Sequence, residues 1–259
     1  MRGIGKKSMG SETAEFPRPY PLRYTRLGMI FMSPEDDCGA VVDAMLASGY
    51  TEEFCLALDW DLSFIARLMK AGFLVMSESF HDEGNGKQDI VLPKLHLVRS
   101  VLFFPRLHVK KSIRRFLDRY ELRFDTDFEI IVRKCLDTHG DGWLTAALVR
   151  SLFALRKKSP KAAGQGSFPR PVSFGVYRDG ELKAGEFGVI CGRVYTSYSG
   201  YRDEDNAGTV QMILMVRWLE NAGFDFLDFG MPLDYKTGLG AQNVTPEEFV
   251  SLWRKAQGR

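Results

Sequence analysis

Two rhythms of apolar residues alternate along this chain of 259 residues. One places apolar side chains three and four apart, as on one face of a helix. The other is the two-residue alternation, or short unbroken apolar run, of a strand. Residues 1–21 follow neither: Gly, Ser and Lys lead into Phe16-Pro17-Arg18-Pro19-Tyr20-Pro21, which reads as a mobile leader. Ser33-Pro34-Glu35-Asp36 has the form of a helix start, with Pro at the first helical position, and predicts a helix to about residue 48. Asp61-Leu62-Ser63 predicts a second helix through Lys70, with Leu62, Ile65, Leu68 and Met69 on one side. Residues 81–88 are polar and contain glycine, so they read as an exposed loop, and residues 98–104 as a short apolar strand stopped by Pro105.

Beyond residue 106 the pattern becomes denser. A helix is expected from Leu107 onward, with Val109, Ile113, Phe116 and Leu117 inward and Lys110, Lys111, Arg114, Arg115 and Arg119 outward. Residues 122–125 alternate like a strand, and residues 128–137 and 143–157 return to helical spacing. Residues 159–171, with glycines and prolines, predict a loop or lid. A meander follows: strands over 172–177, 182–190 and 194–199, the first turn marked by Asp179-Gly180. An apolar helix over 208–221 closes at Ala222-Gly223, a buried strand spans 224–229, and Thr245-Pro246-Glu247-Glu248 is a capping box opening a last helix toward Lys255. These elements predict an α+β fold, a mostly antiparallel sheet flanked by helices, with a smaller helical N-terminal portion. The expected division is a leader over 1–21, an N-terminal domain over 22–105 and a larger C-terminal domain over 106–259.

Composition removes several classes. With 45% apolar and 26% charged residues and a net charge of +2, the chain has enough apolar material for a core and is not globally disordered. No stretch approaches the roughly 20 apolar residues of a membrane helix, and no signal peptide is readable, so a cytoplasmic protein is expected. The cysteines Cys38, Cys55, Cys135 and Cys191 and the histidines His81, His96, His108 and His139 are scattered, which predicts no metal site and cysteines that pack as small apolar residues. Serine-hydrolase, zinc-protease, P-loop and dinucleotide-binding motifs do not occur.

Four segments, in order, carry a resemblance. They are Leu56-Ala57-Leu58-Asp59-Trp60-Asp61-Leu62-Ser63, the run from Leu107 to Phe116, Gly142-Trp143-Leu144-Thr145, and Asp228 with Thr237-Gly238-Leu239-Gly240-Ala241 before Glu247-Glu248-Phe249. The collinear set resembles the leucyl/phenylalanyl-tRNA–protein transferases, from about residue 55 to the C-terminus. The resemblance implies a catalytic half with the fold of the Gcn5-related acyltransferases. It also implies transfer of an apolar amino acid from aminoacyl-tRNA to an acceptor protein beginning with Lys or Arg, with no cofactor. This chain departs from the family at four places. Phe73-Leu74-Val75-Met76 replaces an aromatic Phe-Pro-Trp-Phe run, and Pro93, Lys94 and Leu95 stand where paired tryptophans lie. Tyr198 aligns with an acidic residue, and Asp228-Phe229-Gly230 keeps the Asp but not the Gln of an Asp-x-Gln pair.

The resemblance assigns candidate roles. Asp228, expected at the mouth of a cleft, would orient the acceptor amine, with Tyr198 or backbone groups in place of the missing Gln. Trp143 would offer an indole face to the terminal adenosine. Phe73, Phe174 and Met215, with Met212 and Trp218, would line a pocket for the amino acid side chain. Lys110, Lys111, Arg114, Arg115 and Arg119 would contact tRNA phosphates. Each has a plainer alternative: a strand-end Asp capping a turn, a Trp anchoring a helix, aromatic core, a wetted basic helix face. Two further readings stay open. One is an acyltransferase using a coenzyme A thioester, with Gly238-Leu239-Gly240-Ala241 as its phosphate loop; the other is a binding protein of the same fold without catalysis.

Overall fold

The computed structural model describes residues 20–82, 86–159 and 168–258. The expected leader lies outside these residues except for Tyr20 and Pro21, and most of the expected loop over 159–171 lies outside them as well. The first part of the chain comprises β1 (Ile30–Met32), α1 (Cys38–Ser48), β2 (Cys55–Ala57), α2 (Leu62–Ala71), β3 (Leu74–Asp82) and β4 (Gly86–Lys94). Its strands form a sheet ordered β1-β2-β4-β3, with β1 and β2 parallel and the other pairs antiparallel. The expectation of a helical N-terminal portion is thereby corrected. β1 and β2 are three residues each, too short to register as alternation, and β3 and β4 run through the stretch read as a loop. That stretch is polar because the end of the hairpin projects into water, where His81 pairs with Lys87 and Phe80 with Gln88.

The remainder supplies β5 (Arg99–Leu102), α3 (Lys111–Arg114), β6 (Glu121–Phe124), α4 (Phe128–His139), α5 (Ala146–Lys158), β7 (Arg170–Arg178), β8 (Glu181–Cys191) and β9 (Val194–Arg202). It ends with α6 (Ala207–Asn221), β10 (Phe226–Gly230), α7 (Asp234–Gly238), β11 (Gln242–Val244) and α8 (Pro246–Ala256). The seven-stranded sheet is ordered β11-β5-β10-β9-β8-β7-β6, antiparallel except where β10 runs parallel to β9. The α+β arrangement of helices on a mostly antiparallel sheet is therefore as expected. β5 comes from the segment assigned to the N-terminal portion, yet it sits between β10 and β11. One apolar cluster joins Met32, Phe64 and Val75 of the first part to Val101, Phe187, Phe226 and Trp253 of the second. The Trp253 indole also donates to the Lys70 carbonyl at the end of α2 (2.9 Å).

Local chemistry explains three displaced boundaries. α1 begins at Cys38, capped by Asp37, whose carboxylate accepts from the Gly39 and Ala40 amides; Asp36 instead accepts from the Ser33 amide and holds residues 33–36 in a turn. α5 starts three residues after Trp143, whose carbonyl is bound by the Ser77 amide and hydroxyl of β3. The long basic helix does not form. Lys111–Arg114 makes a single turn, Leu117–Arg119 a 3₁₀ turn, and the Arg115 and Arg119 guanidiniums lie over the Phe116 ring. Ile113, Leu117 and Tyr120 still reach the core, so the apolar spacing is satisfied by consecutive turns. The four cysteines are buried and free, and burial pushes the Cys38 thiol up to about 11 and those of Cys55, Cys135 and Cys191 to about 12.

β8 and β9 come together most tightly at Gly188. A Cβ there would stand 2.1 Å from the Thr196 carbonyl oxygen and 2.7 Å from the Tyr195 ring. Gly188→Ala is expected to lower stability by about 1–3 kcal/mol, because backbone cannot yield as a side chain does. Urea unfolding measures this as a lower midpoint at unchanged slope; an unchanged midpoint would refute the close approach.

Candidate functional site

β10 reads Phe-Leu-Asp-Phe-Gly and is buried at every position, so the Asp228 carboxylate must find its partners inside the protein. It finds four donors. Arg99 Nε lies 2.8 Å from Oδ1 and Nη2 2.6 Å from Oδ2; Thr196 Oγ1 donates to Oδ2 at 2.8 Å and the Gly230 amide to Oδ1 at 2.9 Å. Asp228 is 0% and Arg99 1% exposed. The expectation of a carboxylate open to an incoming amine is thus corrected: a bidentate guanidinium, a hydroxyl and an amide occupy its lone pairs. The Arg99 guanidinium also lies 4.3 Å from the centroid of the Phe249 ring, and its Nη1 is 2.8 Å from Nδ1 of buried His96. Burial, aided by the charges of Arg99, Lys94 and Lys236, pushes the imidazole down to about 2, so the ring is neutral.

β10 pairs with β9 through Asp228 opposite Thr196, then leaves at Gly230, whose φ is +70°. A Cβ at residue 230 would be in ordinary contact with its neighbours, His96 Cε1 and Nε2 at 3.8 Å and Leu74 at 3.9 Å, so the positive φ rather than crowding calls for glycine here. The turn after β10 is stapled by Lys236, a buried ammonium donating to the carbonyls of Phe229 (2.7 Å) and Met231 (2.8 Å). Burial lowers its pKa to about 8.

The other candidate residues divide. Trp143 and Tyr198 come together, half-buried, with ring centroids 6.2 Å apart. The Tyr198 hydroxyl accepts from the Val75 amide (3.3 Å) rather than joining Asp228, and burial raises its pKa. The expected apolar pocket does not assemble. Phe73 packs in the cluster shared by the two sheets, while Phe174 and Met215 are fully buried in another, with Met212 and Trp218 at its edge. Close packing leaves these rings no room to line a pocket; Phe174 alone meets Phe124, Tyr195 and Trp218. Two open clefts, of about 790 and 800 Å³, lie against α5, and Asp228 lines neither.

Lys110, Lys111, Arg114, Arg115 and Arg119 are all exposed, and none is in an ion pair among the described residues. Their segment is clamped to the turn following Asp228. The His108 amide donates to the Leu239 carbonyl (2.8 Å), and Gly240, at φ +100°, presses so closely that a Cβ would stand 2.0 Å from the Arg106 oxygen. The glycine-rich stretch cannot serve as a phosphate loop, because the amides of Leu239, Gly240 and Ala241 donate to carbonyls of Tyr235, Thr237 and Lys236.

Sequence reasoning missed Arg99, His96, Glu186 and Lys236. Glu186, on β8, is 4% exposed and accepts from the Tyr195 hydroxyl (3.1 Å), with Ser197 and Gln211 close enough to offset part of the effect of burial on its carboxyl. Its one signal was a lone carboxylate within Ala184-Gly185-Glu186-Phe187-Gly188.

The comparisons with known proteins converge. The family model described as leucyl/phenylalanyl-tRNA protein transferase matches residues 101–254. The chain belongs to this family. A leucyl/phenylalanyl-tRNA–protein transferase of Pseudomonas entomophila is 31% identical over 157 residues, 59% of this chain and 65% of that one. One from Maridesulfovibrio salexigens is 29% identical over 164 residues, 61% of this chain and 65% of that protein. The match thus spans just under two thirds of the length of these transferases. Among solved structures, FemX aligns over 89% of this chain and 80% of its own at 11% identity and a TM-score of 0.44.

Two outcomes follow from these buried charges. Burial pushes the Glu186 carboxyl up to about 7, so the folded state binds its proton more tightly than the unfolded state does. No penalty exists below the ordinary carboxylate range; it grows as pH rises and is complete above about 7. Glu186→Gln is expected to stabilise the protein at pH 8, by on the order of 2–3 kcal/mol, and to have little effect at pH 4.5. Thermal melts of both proteins across that range check the sign. Asp228→Asn, which strands the Arg99 charge, is expected to cost about 3–5 kcal/mol in denaturant unfolding, more than Asp228→Leu combined with Arg99→Met.

Proposed function

We propose that the chain is an aminoacyltransferase that moves an apolar amino acid from aminoacyl-tRNA to the N-terminus of an acceptor protein beginning with Lys or Arg. The observation that carries this reading is the exposed, unpaired basic segment around Lys111 and Arg115, clamped through His108 and Gly240 to the turn after Asp228, in a member of this family. Five cations in no ion pair among the described residues suit the phosphates of a tRNA acceptor arm. With a net charge of only +2, attraction for nucleic acid must be local, as it is here. The half-buried indole of Trp143 offers a stacking face for the terminal adenosine beside Tyr198.

The chemistry is aminolysis of an ester. An α-amine has a pKa of about 7.7–8.0, so a reactive neutral fraction exists near pH 7.5, and positioning supplies much of the rate. On this reading Asp228 is a positioning residue that acts through Arg99. The parallel pairing of β10 with β9, inside an otherwise antiparallel sheet, supports a Gcn5-related catalytic half, with the strand end after Asp228 as the place of reaction. No described helix is long and apolar enough to cross a membrane, and a cytoplasmic location suits a tRNA substrate.

The test is transfer of labelled Leu or Phe from charged tRNA to peptides beginning with Arg or Lys, with acetyl-coenzyme A in a parallel arm. Transfer from tRNA is expected; acylation from the thioester alone would overturn the reading. Lys111→Ala with Arg115→Ala is expected to weaken tRNA binding and to reduce the slope of log affinity against log salt by about one for each phosphate no longer neutralised. Both residues are exposed and only the Arg115 contact with the Phe116 ring is lost, so the variant should melt within about 1 kcal/mol of the parent. An unchanged salt slope would remove these residues from the interface.

A further inference from the structure

The contact between Arg99 and His96 has only one possible polarity. A guanidinium has no acceptor, so at 2.8 Å from Arg99 Nη1 the imidazole Nδ1 must accept, and the proton of the neutral ring resides on Nε2. Arg99 cannot turn away, because Asp228 grips its other nitrogens at 2.6 and 2.8 Å. The Nε2 edge lies 3.8 Å from where a side chain at Gly230 would begin, at the point where β10 leaves β9. The Nε2–H therefore has no acceptor among the described residues and stands beside backbone that carries no side chain, where β10 ends.

Resting on the transfer reading above, we propose that His96 is the catalytic hydrogen-bond donor that meets the oxyanion formed on the ester carbonyl, with Arg99 and Asp228 as its positioning residues. The acceptor nitrogen forms its bond to the carbonyl carbon, and the π pair moves to oxygen, where the Nε2–H of His96 bonds it. Collapse restores the carbonyl and breaks the carbon–oxygen bond to the ribose; the proton lost by nitrogen ends on the ribose hydroxyl. His96 keeps its own proton throughout. The charges facing the ring are Arg99, Lys94 and Lys236, all cationic, with Asp228 masked by Arg99 and Glu53 paired to Lys94 (2.9 Å). All three cations oppose a second proton on the ring, so the donor neither gains nor loses charge across the physiological range.

Two variants and one spectroscopic measurement test this on the full chain. His96→Gln keeps an acceptor for Arg99 and an N–H donor, while His96→Leu keeps neither. His96→Leu is expected to lower kcat for transfer by about 10²–10³-fold with KM for aminoacyl-tRNA within about twofold; His96→Gln is expected to retain kcat to within about tenfold. Nitrogen-15 NMR of the wild type is expected to show His96 protonated at Nε2, bare at Nδ1 and not titrating between about pH 5 and 8. A His96→Leu protein of undiminished kcat, a loss confined to KM, or a resonance that titrates or carries its proton on Nδ1 would overturn the role of His96. A wild-type chain that transfers nothing from charged tRNA would remove the underlying reading as well, whereas an active wild type beside an equally active His96→Leu removes only the histidine.

Discussion

A guanidinium and a carboxylate taken out of water lose several kcal/mol of hydration each, and close pairing with further hydrogen bonds must offset that loss. For the Arg99–Asp228 pair these come from Thr196, the Gly230 amide and His96, with the Phe249 ring against the guanidinium. Each partner comes from a different element. The pair therefore ties β5, β9, β10, α8 and the segment before β5 to one point, and an error at any of them would leave a charge unpaired. The tightness of Gly188 against Thr196 belongs to the same point, since it presses β9 into the position from which the Thr196 hydroxyl reaches Asp228.

Around this pair, charge is handled in three ways. At the centre it is buried and fully paired. One layer out, burial drives groups toward neutrality: the His96 ring, the Glu186 carboxyl and, less strongly, the Lys236 ammonium. At the surface, the cations of the basic segment are exposed and in no ion pair among the described residues. The turn from Met231 to Ala241 connects the layers, with Lys236 holding its inner end and Leu239 and Gly240 its outer one. The basic segment is thus joined, through backbone contacts, to the strand end at Gly230.

Elements with strong local signals were legible in the sequence. The caps Asp61 and Thr245 mark α2 and α8, the meander is marked by Asp179-Gly180, and the apolar face of α6 stands out over its whole length. The strands of the first sheet were not, because three-residue strands carry no period and an exposed hairpin looks like a loop. Asp228 was legible as a polar residue ending an apolar strand, but its surroundings were not, since its partner lies 129 residues earlier in the chain. Arg99 within the apolar run of residues 98–104 was the overlooked clue: a cation in a buried strand requires an anion. The aromatic and methionine positions that suggested a pocket show the opposite limit, because apolar residues at regular spacing look alike whether they fill a core or line a cavity.

β5 has a consequence for how the chain acquires its structure. It is made early, yet both strands that flank it, β10 and β11, come near the end of the sequence. During synthesis at about 5–20 residues per second, its edges wait on the order of ten seconds for partners, carrying a cation whose native anion is not yet made. Until β10 arrives, Arg99 must stay hydrated, so the strand cannot be buried prematurely in a misregistered sheet. The charge that locks the finished protein also keeps the nascent one open.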